Sequence, residues 1–261
     1  MPADDEIIAE TFLAPIGTAF LTGDTEIIER PGWYQIVTPS MKHPGRNEVI
    51  YSVIERDIER VINDTCARYE SLDVPFKWSL GPLTRPTDMA ERLAARGFSR
   101  GDVRGMYCEP QRLNLSVPDD VTVQHVDDTS IAAFTDAFAR GWEITGEVRA
   151  QLEHDLAWAV RQPAWQLFAA SVDGDLAATG WVFLKERSGY LMAANVLPPY
   201  RGRGLYRALL EARMAELRRR GIGLATTQAR EATSAPILER LGFATAYRGA
   251  VMRSPGAAAH L

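Results

Sequence analysis

The segment Val196-Leu197-Pro198-Pro199-Tyr200-Arg201-Gly202-Arg203-Gly204-Leu205-Tyr206-Arg207-Ala208-Leu209-Leu210 holds the residue types most able to do chemistry. It reads as a strand that stops at two prolines, then a short Gly/Arg loop that runs straight into a helix. Such a loop aims several backbone N–H groups at one spot, and the positive end of the helix dipole lies there too. That is an anion site, and phosphate is the anion it suits. A Walker loop needs four residues between its glycines and a Gly-Lys-Ser/Thr end, which Gly202 and Gly204 do not offer. A dinucleotide fingerprint needs a third glycine where Arg207 stands.

The elements that must position this loop are legible from residue 119 onward. Val121 to Val126 alternates like a strand. A helix follows, capped by Thr129 or Ser130, with Ile131, Phe134 and Phe138 on one face. A second helix carries Val148, Leu152, Leu156 and Ala159, and Pro163 marks its end. Trp165 to Val172 and Leu176 to Leu184 are apolar runs joined by Asp173-Gly174, a hairpin signal. Tyr190 to Val196 completes an antiparallel meander. The helix from Leu205 to Arg220 has apolar residues over a wide arc, as expected when a helix is pressed between layers, and Gly221 ends it. Leu224 to Gln228 is a short strand reached by a crossover of βαβ length. A helix from Thr233 to Leu241, Gly242, and a strand from Phe243 close the chain.

The first half has strand candidates at Glu26 to Ile28 and Tyr34 to Val37. A long amphipathic helix is predicted from Asn47 to Leu72, through Ile50, Ile54, Ile58, Val61 and Tyr69. A strand at Phe76 to Leu80, a helix at Met89 to Arg96 and a strand at Val103 to Glu109 follow. Ala90 to Phe98 with Met106 echoes Ile237 to Phe243 with Met252: helix, Gly-Phe, strand. The first half therefore reads as a degenerate copy of the second. It lacks the Gly/Arg loop and is expected not to bind the ligand. The expected domains are 1-112 and 119-255, with the linker in Gln111 to Asp120.

Composition narrows the function classes. With 46% hydrophobic and 24% charged residues, the 261-residue chain has an ordinary globular balance. A net charge of −5 argues against general nucleic-acid binding. No apolar run is long enough for a membrane span. The acidic start, through Asp4, Asp5 and Glu6, is unlike a signal peptide, so a cytoplasmic location is expected. Cys66 and Cys108 read as two free thiols. His43, His125, His154 and His260 are scattered, and no metal site is expected.

Arg201-Gly202-Arg203-Gly204-Leu205-Tyr206 resembles the Arg/Gln-x-x-Gly-x-Gly/Ala signature of the GNAT superfamily of N-acetyltransferases, with a tyrosine in the last place. The order of elements from 119 on is close to the order of that fold. The resemblance is strong over residues 190 to 243 and architectural elsewhere. It implies a mixed α/β GNAT fold, in tandem with a degenerate GNAT-like first half. It implies acetyl-CoA, or another acyl-CoA, as co-substrate. The pyrophosphate is expected on the amides from Gly202 through Arg203, Gly204, Leu205 and Tyr206 to Arg207, with charge from Arg201 and Arg203. Val196, with Leu197, matches the position whose N–H faces the thioester carbonyl, and the adjoining Asn195 amide is placed to face the acceptor.

Acyl transfer also needs a deprotonated amine and a route for the thiolate to leave. Many GNAT enzymes carry a tyrosine as general acid four residues before the last Gly-Phe glycine, but here that residue is Leu238. An asparagine common earlier in that segment is matched by Glu231. A thiol pKa near ~8.5 lets the thiolate leave without full protonation. Tyr190, Tyr200, Tyr206 and Tyr247 are substitutes, each also a packing residue. Glu143, Glu147 and Glu231 are candidates for the base. An excess of acids over residues 121 to 155 favours a cationic small-molecule acceptor. The expected activity is direct transfer to an amine. The alternative is an inactive acyl-CoA sensor or scaffold, and a homodimer is compatible with either.

Overall fold

The computed structural model describes residues 4–257; His260 lies outside them. The elements are α1 (Asp5–Phe12), β1 (Glu26–Arg30), β2 (Trp33–Val37), β3 (Glu48–Ser52), α2 (Ile58–Ser71), β4 (Lys77–Leu80), α3 (Met89–Ala94) and β5 (Ser99–Cys108). They continue with β6 (Val121–His125), α4 (Ile131–Gly141), α5 (Gly146–Ala159), β7 (Trp165–Val172), β8 (Asp175–Leu184), β9 (Ser188–Val196), α6 (Leu205–Arg219), β10 (Leu224–Arg230), α7 (Ser234–Arg240) and β11 (Ala244–Arg253). The chain divides into two compact units. Of the described residues, one holds 4–106, 228–237 and 245–257, the other 107–227 and 238–244. The sequence reading placed the boundary between 112 and 119 and kept the chain end with the second half; the contacts group residues 245–257 with the first.

In the first unit β1, β2 and β3 form an antiparallel meander, and α2 carries the chain over to β4, which runs parallel to β3. β11 pairs antiparallel with β4, placing Met252 opposite Trp78. The core is aromatic. Tyr69 stacks on Phe76 at 4.1 Å between centroids, and Trp33 meets Trp78 edge-on at 5.6 Å. Trp78, Ile62, Tyr69 and Leu93 are fully buried. Burying a large apolar side chain is worth about 1.5–3 kcal/mol, and the polar tips are matched as well. The Tyr69 hydroxyl donates to the Ile36 carbonyl at 2.6 Å, and the Trp78 indole to Ser52 Oγ at 3.0 Å.

In the second unit β6, β7, β8 and β9 form the antiparallel meander, and α6 crosses to β10, parallel to β9. Adjacent strand residues point to opposite faces. Trp181 stacks on Phe138 of α4 at 4.8 Å. Gly180 lies under Arg213 of α6, whose Cζ is 3.6 Å from where a Cβ would stand. The two helices thus cover opposite faces of β8.

The internal echo is structural. The amides of Gly97 and Phe98 bond back to Ala94 and Leu93, as those of Gly242 and Phe243 do to Glu239 and Leu238. Both glycines have positive φ, +84° and +101°. The helix after the parallel-crossover strand also starts alike in each unit, from a left-handed residue: Asp57 (φ +52°) before α2 and Gly204 (φ +82°) before α6. The first start carries a carboxylate of its own, Asp57, paired with Arg60, and Glu59 pairs with Arg92 and Arg96, whereas the second start carries Arg203 and Arg207 and no acid.

Two elements differ from the sequence expectations. The helix predicted from Asn47 begins only at Ile58. Val49-Ile50-Tyr51 is β-branched and aromatic and pairs as β3, and the left-handed Asp57 separates it from the helix. The helix α1 was missed, although Asp4 caps it by accepting the Ile7 amide at 2.8 Å. Ending the chain after Ala244 is expected to strip hydrogen-exchange protection from Trp78 to Leu80 while β7 and β8 keep theirs. Equal loss in both sets would contradict the pairing of β11 with β4.

Candidate active site

The loop between β9 and α6 begins with a 3-10 turn, Pro198–Tyr200, forced by prolines that cannot continue the ladder. Gly202 and Gly204 both have φ +82°, a conformation costing a side-chain-bearing residue about 1–2 kcal/mol. No atom lies within 4 Å of a Cβ built on Gly202, so the backbone can be approached closely there. A Cβ on Gly204 would come within 2.6 Å of Pro118. The first α6 bond reaching back is Ala208 N–H to the Gly204 carbonyl, 3.0 Å. Among the described residues, the amides from Gly202 to Arg207 have no acceptor. A run of unbonded amides at the positive end of a helix dipole is an arrangement that favours an anion.

The two loop arginines differ. Arg203 bridges Asp120 and Asp173, each at 2.9 Å. Its charge is spent bracing the loop against the β7–β8 hairpin. The Tyr200 hydroxyl donates to Asp175 on the same hairpin at 2.7 Å. That carboxylate raises the Tyr200 pKa, so the phenol is a bracing group. Arg201 is exposed and reaches back to the Val196 carbonyl at 3.2 Å, and Arg207 is exposed on the first turn of α6. Leu205 is buried. Tyr206 lies beside the Arg213 guanidinium, and burial raises its pKa.

β9 is shaped by a bulge. Its register with β8 shifts between Thr179/Asn195 and Trp181/Met192, and Ala193 there has φ +53°. Registered pairing of β9 with β10 runs from Ser188 to Tyr190 only. Beyond it, Leu197 N–H donates to the Ala177 carbonyl at 2.9 Å. Hydrogen bonding alternates along an antiparallel pair, so the N–H of Val196, opposite Ala178, points away from β8. Val196 therefore keeps a free, outward amide. Leu197 does not, because its amide is already bonded. Asn195 lies against Gly141 at the end of α4, and neither atom of its amide has a hydrogen-bond partner.

The candidate bases fare unequally. Glu231 is gripped by Arg104 and Arg248, with Arg104 Nε at 3.0 Å from Oε2. Those hydrogen bonds hold its pKa down at about 2. A carboxylate so stabilised is a poor proton acceptor, and from the turn after β10 it links β5 to β11. Glu143 (φ +55°) is exposed in the α4–α5 connection, and Glu147 is exposed on the first turn of α5. The acidic stretch around them is largely spoken for. Asp128 pairs with Arg161, Asp136 with Arg149, and Asp127 accepts from Thr129 and Ser130, which lowers its pKa to about 2. Leu238, Tyr190 and Tyr247 are buried. Burial also raises Cys66 to about 11 and Cys108 to about 12, so both thiols stay protonated near neutral pH.

Residues 131–243 match the family model described as Acetyltransferase (GNAT) family. The chain carries a GNAT-family domain. The match spans α4 to the last Gly-Phe and includes the loop and bulge described above. Solved structures similar to the whole chain include a functionally unknown conserved protein of Staphylococcus epidermidis (TM-score 0.70, 15% identity, 90% of this chain and 95% of that one). A GCN5-related N-acetyltransferase from Kribbella flavida gives TM-score 0.67 and 16% identity over 98% and 97%. A tandem GNAT protein from the clavulanic acid biosynthesis pathway gives 0.62 and 15% over 97% and 89%. At such identities the likeness is one of fold. It makes this fold a tandem GNAT arrangement across nearly the whole chain. No curated protein matches the sequence.

The Glu231 cluster predicts a pH signature. A carboxylate whose folded pKa is depressed stabilises the fold above its ordinary pKa of 4.5, and that stability is lost as pH falls toward about 2. Glu231→Gln should therefore lower the urea midpoint at pH 7 and leave it nearly unchanged at pH 2. Gly204→Ala should lower the thermal midpoint through both positive φ and the Pro118 contact, by about 1–2 kcal/mol from φ alone.

Proposed function

We propose that the GNAT domain is an N-acyltransferase that moves an acetyl group from acetyl-CoA to a primary amine of a small molecule or peptide. The observation that carries this reading is the run of free amides from Gly202 to Arg207 at the start of α6. The outward N–H of Val196 lies on the strand that feeds it. A diphosphate fits the loop, since the glycines leave its approach open and Arg201 and Arg207 add positive charge. Arg203 is left out of that set because two carboxylates already hold it.

The thioester carbonyl would accept from Val196 N–H, which then stabilises the oxyanion of the tetrahedral adduct; one such donor is worth about 10²–10³ in rate. The amine attacks directly. A route through an acyl-cysteine is disfavoured by the raised pKa values of Cys66 and Cys108. The departing thiolate takes the proton lost by nitrogen, which a thiol pKa near ~8.5 permits. No tyrosine acid is needed where Leu238 stands.

Calorimetric titration with acetyl-CoA is expected to show one saturable site. Gly202→Asp, which adds negative charge and a side chain where φ is positive, should weaken binding at least tenfold while the fold is kept. No heat with wild-type protein would sink the reading. Binding without release of free thiol from any amine would favour the sensor instead.

A further inference from the structure

One face of the β8–β9 ladder holds polar atoms that the mechanism above does not use. Thr179 is fully buried, and its hydroxyl has no hydrogen-bond partner. Asn195 stands opposite it in the antiparallel register, and its Oδ1 and Nδ2 have none either. Directly opposed residues share a face, with Cβ atoms about 5 Å apart. Three unsatisfied polar atoms therefore belong to one cross-strand pair. Gly141 closes it from α4, and a methyl group built on Gly141 would overlap the Asn195 amide. A buried polar atom left unpaired costs about 1–3 kcal/mol. Here that cost falls one residue from the free amide of Val196.

A second observation lies on the opposite face. Arg213 is 2% exposed, under Gly180 at the bulge. Its Nε donates to the Leu209 carbonyl at 3.0 Å, its Nη2 has no partner, and no carboxylate pairs with it among the described residues. Burial pulls its pKa down, and the neighbouring Tyr206 opposes this. A buried cation with only the Leu209 carbonyl and the Tyr206 phenol for partners is thus fixed beneath the strand that carries Thr179.

Granting the N-acyltransferase reading, we infer that Thr179 and Asn195 seat the acceptor nitrogen and that desolvation there, without a side-chain base, delivers the amine as its free base. Thr179 Oγ1 and Asn195 Oδ1 accept the two N–H bonds of a neutral amine, which leaves its lone pair for the acetyl carbon. An ammonium ion would bring its charge into a buried site with the Arg213 cation across the strand, and both effects lower its pKa. The charged groups on the packed helices do not reverse this. Asp136 of α4 is bridged to Arg140 and Arg149, and Asp155 of α5 accepts from Gln151 at 3.0 Å. The substrate class is therefore a primary amine on a small uncharged skeleton, not a polycation. In the reaction the N–C bond forms, the C–S bond breaks, and the proton lost by nitrogen ends on the thiolate. The extra proton of an ammonium ion goes to water when the amine binds.

The test uses the full chain, acetyl-CoA, and n-propylamine beside spermidine. Thr179→Val keeps the shape of the side chain and should raise the KM for n-propylamine about tenfold, leaving that for acetyl-CoA unchanged. Arg213→Met removes the buried cation, so the acidic limb of kcat should move to higher pH, a change that a purely structural role would not produce. Spermidine should be the poorer acceptor. Wild-type kinetics in Thr179→Val, an unmoved limb in Arg213→Met, preference for spermidine, or no acetylation of n-propylamine by protein that binds acetyl-CoA would each overturn the inference. Failure to bind acetyl-CoA at all would instead remove the reading it rests on.

Discussion

The change of partners along β9 is the constraint on which the rest of the site depends. The strand starts paired on both sides, with β8 and with β10, and its register with β10 stops at Tyr190. A bulge at Ala193, held in a left-handed conformation opposite Gly180, resets its phase against β8. That reset turns the N–H of Val196 outward and gives that of Leu197 to Ala177. A one-residue phase error would exchange the roles of these two amides, because bonding alternates along an antiparallel pair. The strain at Ala193 is local, and the pairing of β9 with β8 before and after the bulge holds it in place.

The loop that follows inherits this geometry and is braced by charge. Arg203 and Tyr200 are tied to aspartates, so the two residues that look most like ligands act as struts. The backbone does the recognising, through amides that a helix start leaves unbonded. The first unit shows the converse. Its helix α2 begins from a left-handed residue like α6, but that residue is Asp57, a carboxylate paired with Arg60. A side-chain carboxylate there puts negative charge where the helix start would otherwise favour an outside anion.

Electrostatics also separates groups with similar sequence credentials. Glu231 stands where the family often has an asparagine, yet two guanidinium groups hold it ionised down to about pH 2. Glu143 and Glu147 remain solvent-exposed. Asn195 is uncharged and half-buried, and its inaccessible amide atoms keep no hydrogen-bond partner beside Val196. A carboxylate fixed by arginines steadies strands, whereas an unpaired neutral amide is open to a ligand.

What the sequence by itself determined was local. The tandem prolines, Gly202 and Gly204 prescribe a strand end, a left-handed turn and a helix start, because their backbone preferences act within a few residues. The alternating runs from Trp165 to Val196 prescribe the meander for the same reason, and the helix–Gly–Phe echo prescribes a repeated unit. Tertiary structure decided everything that depends on distant partners. Arg203 found Asp120 and Asp173, Glu231 found Arg104, and β11 joined β4 of the first unit. The helix predicted from Asn47 failed likewise, because Val49 to Tyr51 satisfies a helical period and a strand equally until β2 and β4 offer it hydrogen bonds. Spacing along a chain fixes backbone conformation, but a charge or a strand edge acquires its role only from what folding brings beside it.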